Sequence, residues 1–215
     1  MTALLPYVYA CLAALMIALL AWRALVMKKA PRQARLDAIA WASSVLASPD
    51  GYAILDTETT GVGEDDEIIQ IAIVDPSGRE LVNTLVRPTR ERSIPAKATA
   101  VHGIRRAHLR DAPSWPDVSP EVEEALCGRR VVAYNAAFDG RLMQQTHRIN
   151  GGLAAPSEWA CAMLAYAAFV GEPDVRKPGE YKWQKLAGGD HTAIGDCRAT
   201  LALIRLMAAA STERS

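Results

Sequence analysis

Four carboxylates and one imidazole stand out by type and spacing. Asp56 and Glu58 lie in Leu55-Asp56-Thr57-Glu58-Thr59-Thr60-Gly61. Asp139 ends Asn135-Ala136-Ala137-Phe138-Asp139, and His191 and Asp196 bracket His191-Thr192-Ala193-Ile194-Gly195-Asp196. Asp56 and Glu58 are two apart at the end of an apolar run, so in a strand they face the same way. Two carboxylates aimed at one spot are costly unless a cation lies between them. Hard oxygen donors of this kind suit Mg²⁺ or Mn²⁺ rather than Zn²⁺. A pair of such ions about 3.5–4 Å apart serves phosphoryl chemistry. An imidazole with an ordinary pKa near 6.5 is the natural proton acceptor at neutral pH, which gives His191 the role of base. Taken singly, each group has a simpler reading: a solvated Asp-x-Glu, a helix-start aspartate favoured by the macrodipole, a loop histidine.

The elements that must position these groups follow from the hydrophobic pattern. Tyr52 to Asp56 reads as a buried strand. Glu67 to Asp75 and Glu80 to Val86 read as two more, joined at Pro76-Ser77-Gly78-Arg79 into an antiparallel meander. Arg130 to Tyr134 is a fourth strand and the neighbourhood of Glu158 to Ala160 a short fifth. Helical spacing runs from about Ala137 to Ile149, through an alanine-rich stretch to about Val170, and from about Ile194 to Ala209. Meander strands followed by strands alternating with helices give an α/β fold, a mixed β-sheet flanked by helices. Strand ends in such sheets are where ligands collect. Trp183, in Tyr181-Lys182-Trp183-Gln184-Lys185-Leu186, is expected in the core, with stacking on a base as the alternative.

Taken together, these motifs resemble those of the DEDDh (DnaQ-like) exonucleases, the family of the proofreading subunit of bacterial DNA polymerase III. Asp56-Thr57-Glu58-Thr59-Thr60-Gly61 is similar to the family's first motif, Asn135 to Asp139 to its second, and His191-x-x-x-x-Asp196 to its third, in the histidine variant. Val101-His102-Gly103-Ile104 resembles a further segment common there. The likeness spans about Gly51 to Met207. It implies a ribonuclease-H-like fold and 3′→5′ hydrolysis of the last phosphodiester, releasing a nucleoside monophosphate. It also implies that Asp56, Glu58 and Asp196 ligate one divalent cation. Asp56 would hold a second with Asp139 nearby, and His191 would act as general base. Thr59, Thr60, Gly61 and Val62 would line the terminal-nucleotide pocket, with Val62 wedged against a base. His102 and Ile104 would meet the terminal sugar and base, and Arg105 and Arg106 the phosphates. The expected partner is a single-stranded nucleic-acid 3′ end, because the terminal base must leave its stack to reach the metals. DNA is favoured. An exoribonuclease, or a binding module that has lost catalysis, is the alternative, and the retained carboxylates and His191 argue against the latter.

Bulk composition fits this expectation without announcing it. The 215 residues are 50% hydrophobic, enough for one globular domain and a little more. Lys+Arg 24 cancels Asp+Glu 24. The balance is local, however: Arg87, Arg90, Arg92, Lys97, Arg105, Arg106 and Arg110 fall in one stretch with a single acid, Glu91. A basic track can thus sit beside an acidic centre, although the same arginines would also suit a solvated loop. Cys11, Cys127, Cys161 and Cys197 have neither metal-knuckle nor redox spacing and read as small buried residues in a reducing compartment.

The N-terminus is expected to meet lipid. Between Ala3 and Met27 the sole charge is Arg23. Leu4 to Val26 supplies the ~20 apolar residues that cross a hydrocarbon core, necessarily as a helix. Tyr7, Tyr9 and Trp22 sit near its ends. Arg23, Lys28, Lys29, Arg32 and Arg35 follow it, ahead of the first acid, Asp37. That charge order predicts an uncleaved single-pass anchor in the inner membrane, N-terminus outside and the catalytic domain in the cytoplasm. The expected organisation is an anchor over 1–27, a juxtamembrane amphipathic helix and linker over 28–50, a catalytic domain over 51–210 and a tail over 211–215. The juxtamembrane helix, centred on Ala34 to Leu46, would lie on the membrane or against the domain. Oligomeric state is not legible.

Overall fold

A computed structural model describes Met16 and residues 31–89, 94–152, 156 and 158–210. The expected membrane anchor over 4–26 otherwise falls outside the described residues. Among the described residues no helix is long and apolar enough to cross a membrane.

Five strands form one mixed sheet in the order β3-β2-β1-β4-β5. They are β1 (Tyr52–Thr59), β2 (Ile68–Val74), β3 (Glu80–Leu85), β4 (Arg130–Ala133) and β5 (Trp159–Cys161). β1 pairs antiparallel with β2 and β2 with β3, while β1 with β4 and β4 with β5 are parallel. The helices are α1 (described over 31–47), α2 (Ala96–His102), α3 (Trp115–Leu126), α4 (Ala136–Asn150), α5 (Ala162–Val170) and α6 (Ala193–Ala208), with a 3₁₀ turn at Arg106–Leu109.

Two cores lie on the two faces of the sheet. Ile54, Ala72, Val74 and Val132 pack against α1, α5 and α6 through Ala42, Val45, Phe169, Leu201 and Ile204. Ala53, Leu55, Ile71 and Val131 pack against α3 and α4 through Trp115, Val122, Leu142 and Met143. Because the strand period is two, β1 sends Ile54, Asp56 and Glu58 towards α6, and Leu55 and Thr57 towards α4. Residues 31–47 therefore settle one expectation: Ala38, Ile39, Ala42 and Val45 are buried in the first core, so this helix lies against the domain.

The β2–β3 turn shows how local chemistry fixes register. Asp75 is almost fully buried, and its Oδ1 accepts the N–H groups of Ser77 (2.9 Å), Gly78 (3.1 Å) and Arg79 (3.0 Å). Oδ2 accepts Arg79 Nε at 2.9 Å. Burial alone would raise this carboxyl, but these donors hold it below the usual carboxylate range. Gly78, at φ +99, supplies a backbone conformation that a side chain would disfavour.

Two sequence expectations fail here. Trp183 is 52% exposed rather than in the core, because it follows an irregular excursion pinned by the Pro173–Tyr181 bridge, outside either face of the sheet. Cys127 is exposed at the end of α3, whereas Cys197 is buried as expected.

Candidate active site

The cleft opens where the sheet splits. β4 accompanies β1 only through Tyr52, Ala53 and Ile54. Beyond Ala133 the chain turns away at Tyr134-Asn135 into α4, leaving that side of β1 without a neighbouring strand from Leu55 onward. Asp139, in the first turn of α4, fills the gap. Its Oδ1 accepts the Thr57 N–H at 3.1 Å and the Thr57 hydroxyl at 2.8 Å. The aspartate thus replaces the missing strand partner of a backbone donor that would otherwise be buried unpaired.

Asp196 arrives from the opposite layer. Thr192 caps α6 by accepting the Gly195 N–H at 3.1 Å. The Ala193 N–H donates to Gln70 Oε1 at 3.1 Å, tying the start of α6 to β2. Cys197, fully buried, directs its thiol at the carbonyls of Ile54 (3.5 Å) and Ala72 (3.3 Å) and so sets the rotation of the helix. Asp196 then faces β1, where one ligand oxygen each from Asp56, Glu58 and Asp196 lies within 4.8 Å of the others.

His191 immediately precedes the α6 cap. It is the single non-glycine residue with positive φ (59°) among the described residues, and its N–H donates to Asp196 Oδ1 at 3.2 Å. The turn around it is crowded. A Cβ on Gly189 would stand 2.7 Å from Asp196 Oδ1, and one on Gly195 would collide with Asp190 Oδ1. Asp190 in turn accepts the Thr192 N–H (3.0 Å) and hydroxyl (2.7 Å). The glycines therefore let the third motif fold tightly enough to bring His191 and Asp196 into one cleft.

That cleft, of about 350 Å³, is lined by Asp56, Glu58, Asp139, His191 and Asp196, together with Thr57, Tyr134, Asn135, Phe138, Lys185, Leu186 and Gly189. All five residues singled out from the sequence thus meet at one place. The electrostatics are those of an acidic centre short of positive charge. Burial, then Asp139, Asp196 and Glu58, push Asp56 well above the carboxylate range. Burial, with Asp196, Asp139 and Asp190, pushes Glu58 up to about 8. Burial also raises Asp139, against the opposing pull of the Thr57 hydrogen bonds. Such carboxylates either bind protons or bind a cation. Oxygen donors on three half-buried side chains, converging this closely, fit a hard divalent ion. Asp56, Glu58 and Asp196 would hold it, with Asp139 available beside them.

The residues expected around the terminal nucleotide are more dispersed, and none of them lines this cleft. Thr59 is buried and its hydroxyl donates to the Gly61 carbonyl at 2.7 Å. Thr60 donates to Asp66 Oδ1 at 2.7 Å, and a Cβ on Gly61 would meet Asp66 Oδ2 at 2.7 Å. Val62 stands free at 76% exposure. Ile104 is buried with Ile69 and Leu109 in a small core. His102 is 9% exposed, its Nδ1 accepts the Ile104 N–H at 3.0 Å, and its Nε2 has no hydrogen-bond partner meeting normal geometry. Burial lowers its pKa, a contact with the Thr59 backbone opposes that, and His191 is near enough to lower it further. Arg105 and Arg106 are exposed at the 3₁₀ turn. Sequence reasoning missed Lys185, the one lysine or arginine among the described residues that line the cleft, and Asn135, Phe138 and Tyr134. The Tyr134 hydroxyl donates to the Gln184 carbonyl and so fixes the segment that carries Lys185. A lone lysine in an irregular segment has no local signature.

Comparison with known proteins agrees with this geometry. The profile of the RNase_T family, described as exonuclease, matches residues 53–204. The chain is 40% identical over 176 residues to the uncharacterized exonuclease CP81 of Escherichia phage 186, covering 74% of this chain and 89% of that protein. It is 36% identical over 94 residues to the DNA polymerase III subunit epsilon of Escherichia coli, covering 40% of this chain and 39% of the relative. The fold is shared with E. coli Exonuclease I, solved in complex with a dT13 oligonucleotide. The TM-score is 0.58 at 15% identity, over 74% of this chain and 41% of that one.

Proposed function

This chain belongs to the exonuclease family of the DEDDh type, and from that premise we propose that it releases nucleoside monophosphates one at a time from single-stranded 3′ ends, DNA favoured. The observation that carries the reading is the convergence of Asp56, Glu58 and Asp196 within 4.8 Å, with Asp139 and His191 lining the same cleft. Divalent cations, Mg²⁺ or Mn²⁺, held by these carboxylates would offset negative charge on the phosphodiester and on the oxygens that attack and leave.

The chain's own groups have distinct tasks. Asp139 is locked by Thr57 and keeps the acidic wall rigid. His191 takes the proton of the attacking water, and its ring is carried on a turn tied to Asp196 through its own N–H. Lys185, which lines the cleft, would offer a positive charge to the phosphate of a bound strand. Val62, exposed beside Thr59 and Thr60, is placed to press on the terminal base. His102 offers its Nε2 to the terminal sugar, and Arg105 and Arg106 lie outward for phosphates. Ile104, held in the small core, orients His102 through its N–H, which donates to Nδ1.

Residues 4–26 anchor this activity to the inner membrane with the catalytic domain on the cytoplasmic side, a reading supported by the apolar run and the basic residues that follow it. Carbonate extraction that leaves the protein in the supernatant would refute the anchor. The enzymatic reading is tested with full-length protein, matched 3′-labelled DNA and RNA oligonucleotides, and Mg²⁺ or Mn²⁺. Monophosphate release that is lost on chelation and in Asp56→Ala is expected. Absence of release, or equal release by that variant, refutes it, and faster RNA turnover would reassign the substrate.

A further inference from the structure

We propose that a basic cavity at the β3 edge of the sheet is a second nucleic-acid site, gripping the phosphodiester backbone roughly three nucleotides behind the 3′ end. The proposal rests on the catalytic reading of the cleft. The cavity, of about 740 Å³, is lined by Arg87, Thr89, Arg106, Leu109, Arg110 and Ser114 among others, and shares no lining residue with the cleft.

Its walls are built. Among the described residues the outer edge of β3 has no partner strand, and the chain that follows it is closed instead by the segment before α3. The Arg87 N–H donates to the Pro113 carbonyl at 2.7 Å, and Arg87 and Ser114 form a parallel bridge. The Thr89 N–H donates to Glu67 Oε2 at 3.0 Å, which also accepts Asn150 Nδ2 at 2.9 Å. Leu109, buried with Ile69 and Ile104, gives an apolar floor.

Its charge is only partly offset. Among the described residues, neither Arg87 nor Arg110 has a carboxylate at ion-pair distance. The acids nearby direct their hydrogen bonds to other groups. Glu67 is 2% exposed and turned to Thr89 and Asn150. Asp117 accepts the Ser114 N–H at 2.9 Å and the Ser114 hydroxyl, and lies near enough to Arg87 to offset part of its charge without pairing with it. Guanidinium forks around a solvated hollow match phosphate oxygens.

Its position selects the ligand. Glu58 is in register with Gln70, and Gln70 with Leu85. Two strand spacings put Leu85 about 10 Å across the sheet from the acidic centre, and Arg87 lies about 7 Å further along the strand. A stacked strand rises about 3.4 Å per nucleotide, so this offset is roughly three nucleotides. Phospholipid headgroups carry the same oxygens. However, α1, which follows the expected anchor, packs on the α5–α6 face, whereas the cavity lies beyond β3 near the start of α3.

The test compares full-length wild type with Arg87→Gln/Arg110→Gln on a single-stranded 15-mer and on p-nitrophenyl thymidine 5′-phosphate, which is too short to reach the cavity. The variant should show about a tenfold higher KM on the 15-mer, with unchanged kcat. Its log-log salt slope should shrink by about 1.4, the value for two single-strand phosphates. The short substrate should be turned over as by wild type. Equal damage on the short substrate, or an unchanged KM and salt slope on the 15-mer, overturns the proposal. If wild type hydrolyses neither substrate, the catalytic reading has failed; metal-free anisotropy with a labelled 15-mer then still decides the cavity, and equal affinity of wild type and variant refutes it. Loss of binding to anionic phospholipid vesicles with unchanged 15-mer affinity would give the cavity to lipid and likewise overturn it.

Discussion

Replacing Thr57 by valine should disable the centre without removing any carboxylate. Thr57 donates twice to Asp139 Oδ1, from its N–H at 3.1 Å and its hydroxyl at 2.8 Å, and Asp139 is 3% exposed. Valine keeps the shape and the strand propensity but deletes the shorter bond. A hydrogen bond to a charged group contributes about 1.5–3 kcal/mol, which converts at about 1.4 kcal/mol per decade into a ~10- to ~150-fold effect. The sign follows from which state loses. The hydroxyl favours ionised Asp139, opposing the burial that raises it. Its removal makes Asp139 hold its proton more tightly, so the acidic limb of the pH–rate profile moves to higher pH and more Mg²⁺ or Mn²⁺ is needed for half-maximal rate. Thr57→Ser, which keeps the hydroxyl, should stay near wild type. The assay is initial-rate monophosphate release against pH and metal concentration. If Thr57→Val leaves both curves in place, or Thr57→Ser is equally impaired, Asp139 is not positioned in the way described.

Three further outcomes follow from the same coordinates. Gly195→Ala forces a Cβ onto Asp190 Oδ1 and should loosen the turn that carries His191, cutting activity at least tenfold for about 1–3 kcal/mol of stability, read by thermal melts and rates together. Metal-free protein should lose stability as pH rises. Glu58 is held up to about 8 and Asp56 and Asp139 are raised too, so the folded state binds protons that the unfolded chain releases near ordinary carboxylate values. That stability is complete below those values and is lost as pH passes through about 8, and millimolar Mn²⁺ should restore the melting temperature at high pH. A melting temperature flat across this range would contradict the reading. Asp75→Ala removes the carboxylate that accepts the turn donors of Ser77 and Arg79 and should cost about 1–3 kcal/mol in denaturant titration with little change in kcat, because the turn lies at the end of β2 away from the cleft.

What was legible in the sequence was whatever one element writes on its own. Apolar runs placed all five strands to within a few residues. β1 proved longer than its apolar stretch, Tyr52–Thr59, because Thr57, Glu58 and Thr59 pair with Ile71, Gln70 and Ile68 of a neighbour that periodicity cannot see. α4 and α6 followed from their spacing. α3 was not anticipated: Pro116 and Pro120 obscure its pattern, although Ser114 and Asp117 form a capping box at its start. The five cleft residues were legible because each motif carries its own group to an element end. Lys185, the Thr57 lock on Asp139 and the exposure of Trp183 were not, since each depends on where separate segments meet.

The central claim is that Asp56, Glu58 and Asp196 are gathered to hold a divalent cation. Anomalous diffraction from crystals of the full-length protein soaked in Mn²⁺ tests it directly. The account predicts a peak within coordination distance of oxygens from all three side chains, absent in Asp56→Ala crystals. A fully soaked crystal with no peak there, or with manganese bound elsewhere while these three carboxylates remain metal-free, would contradict it.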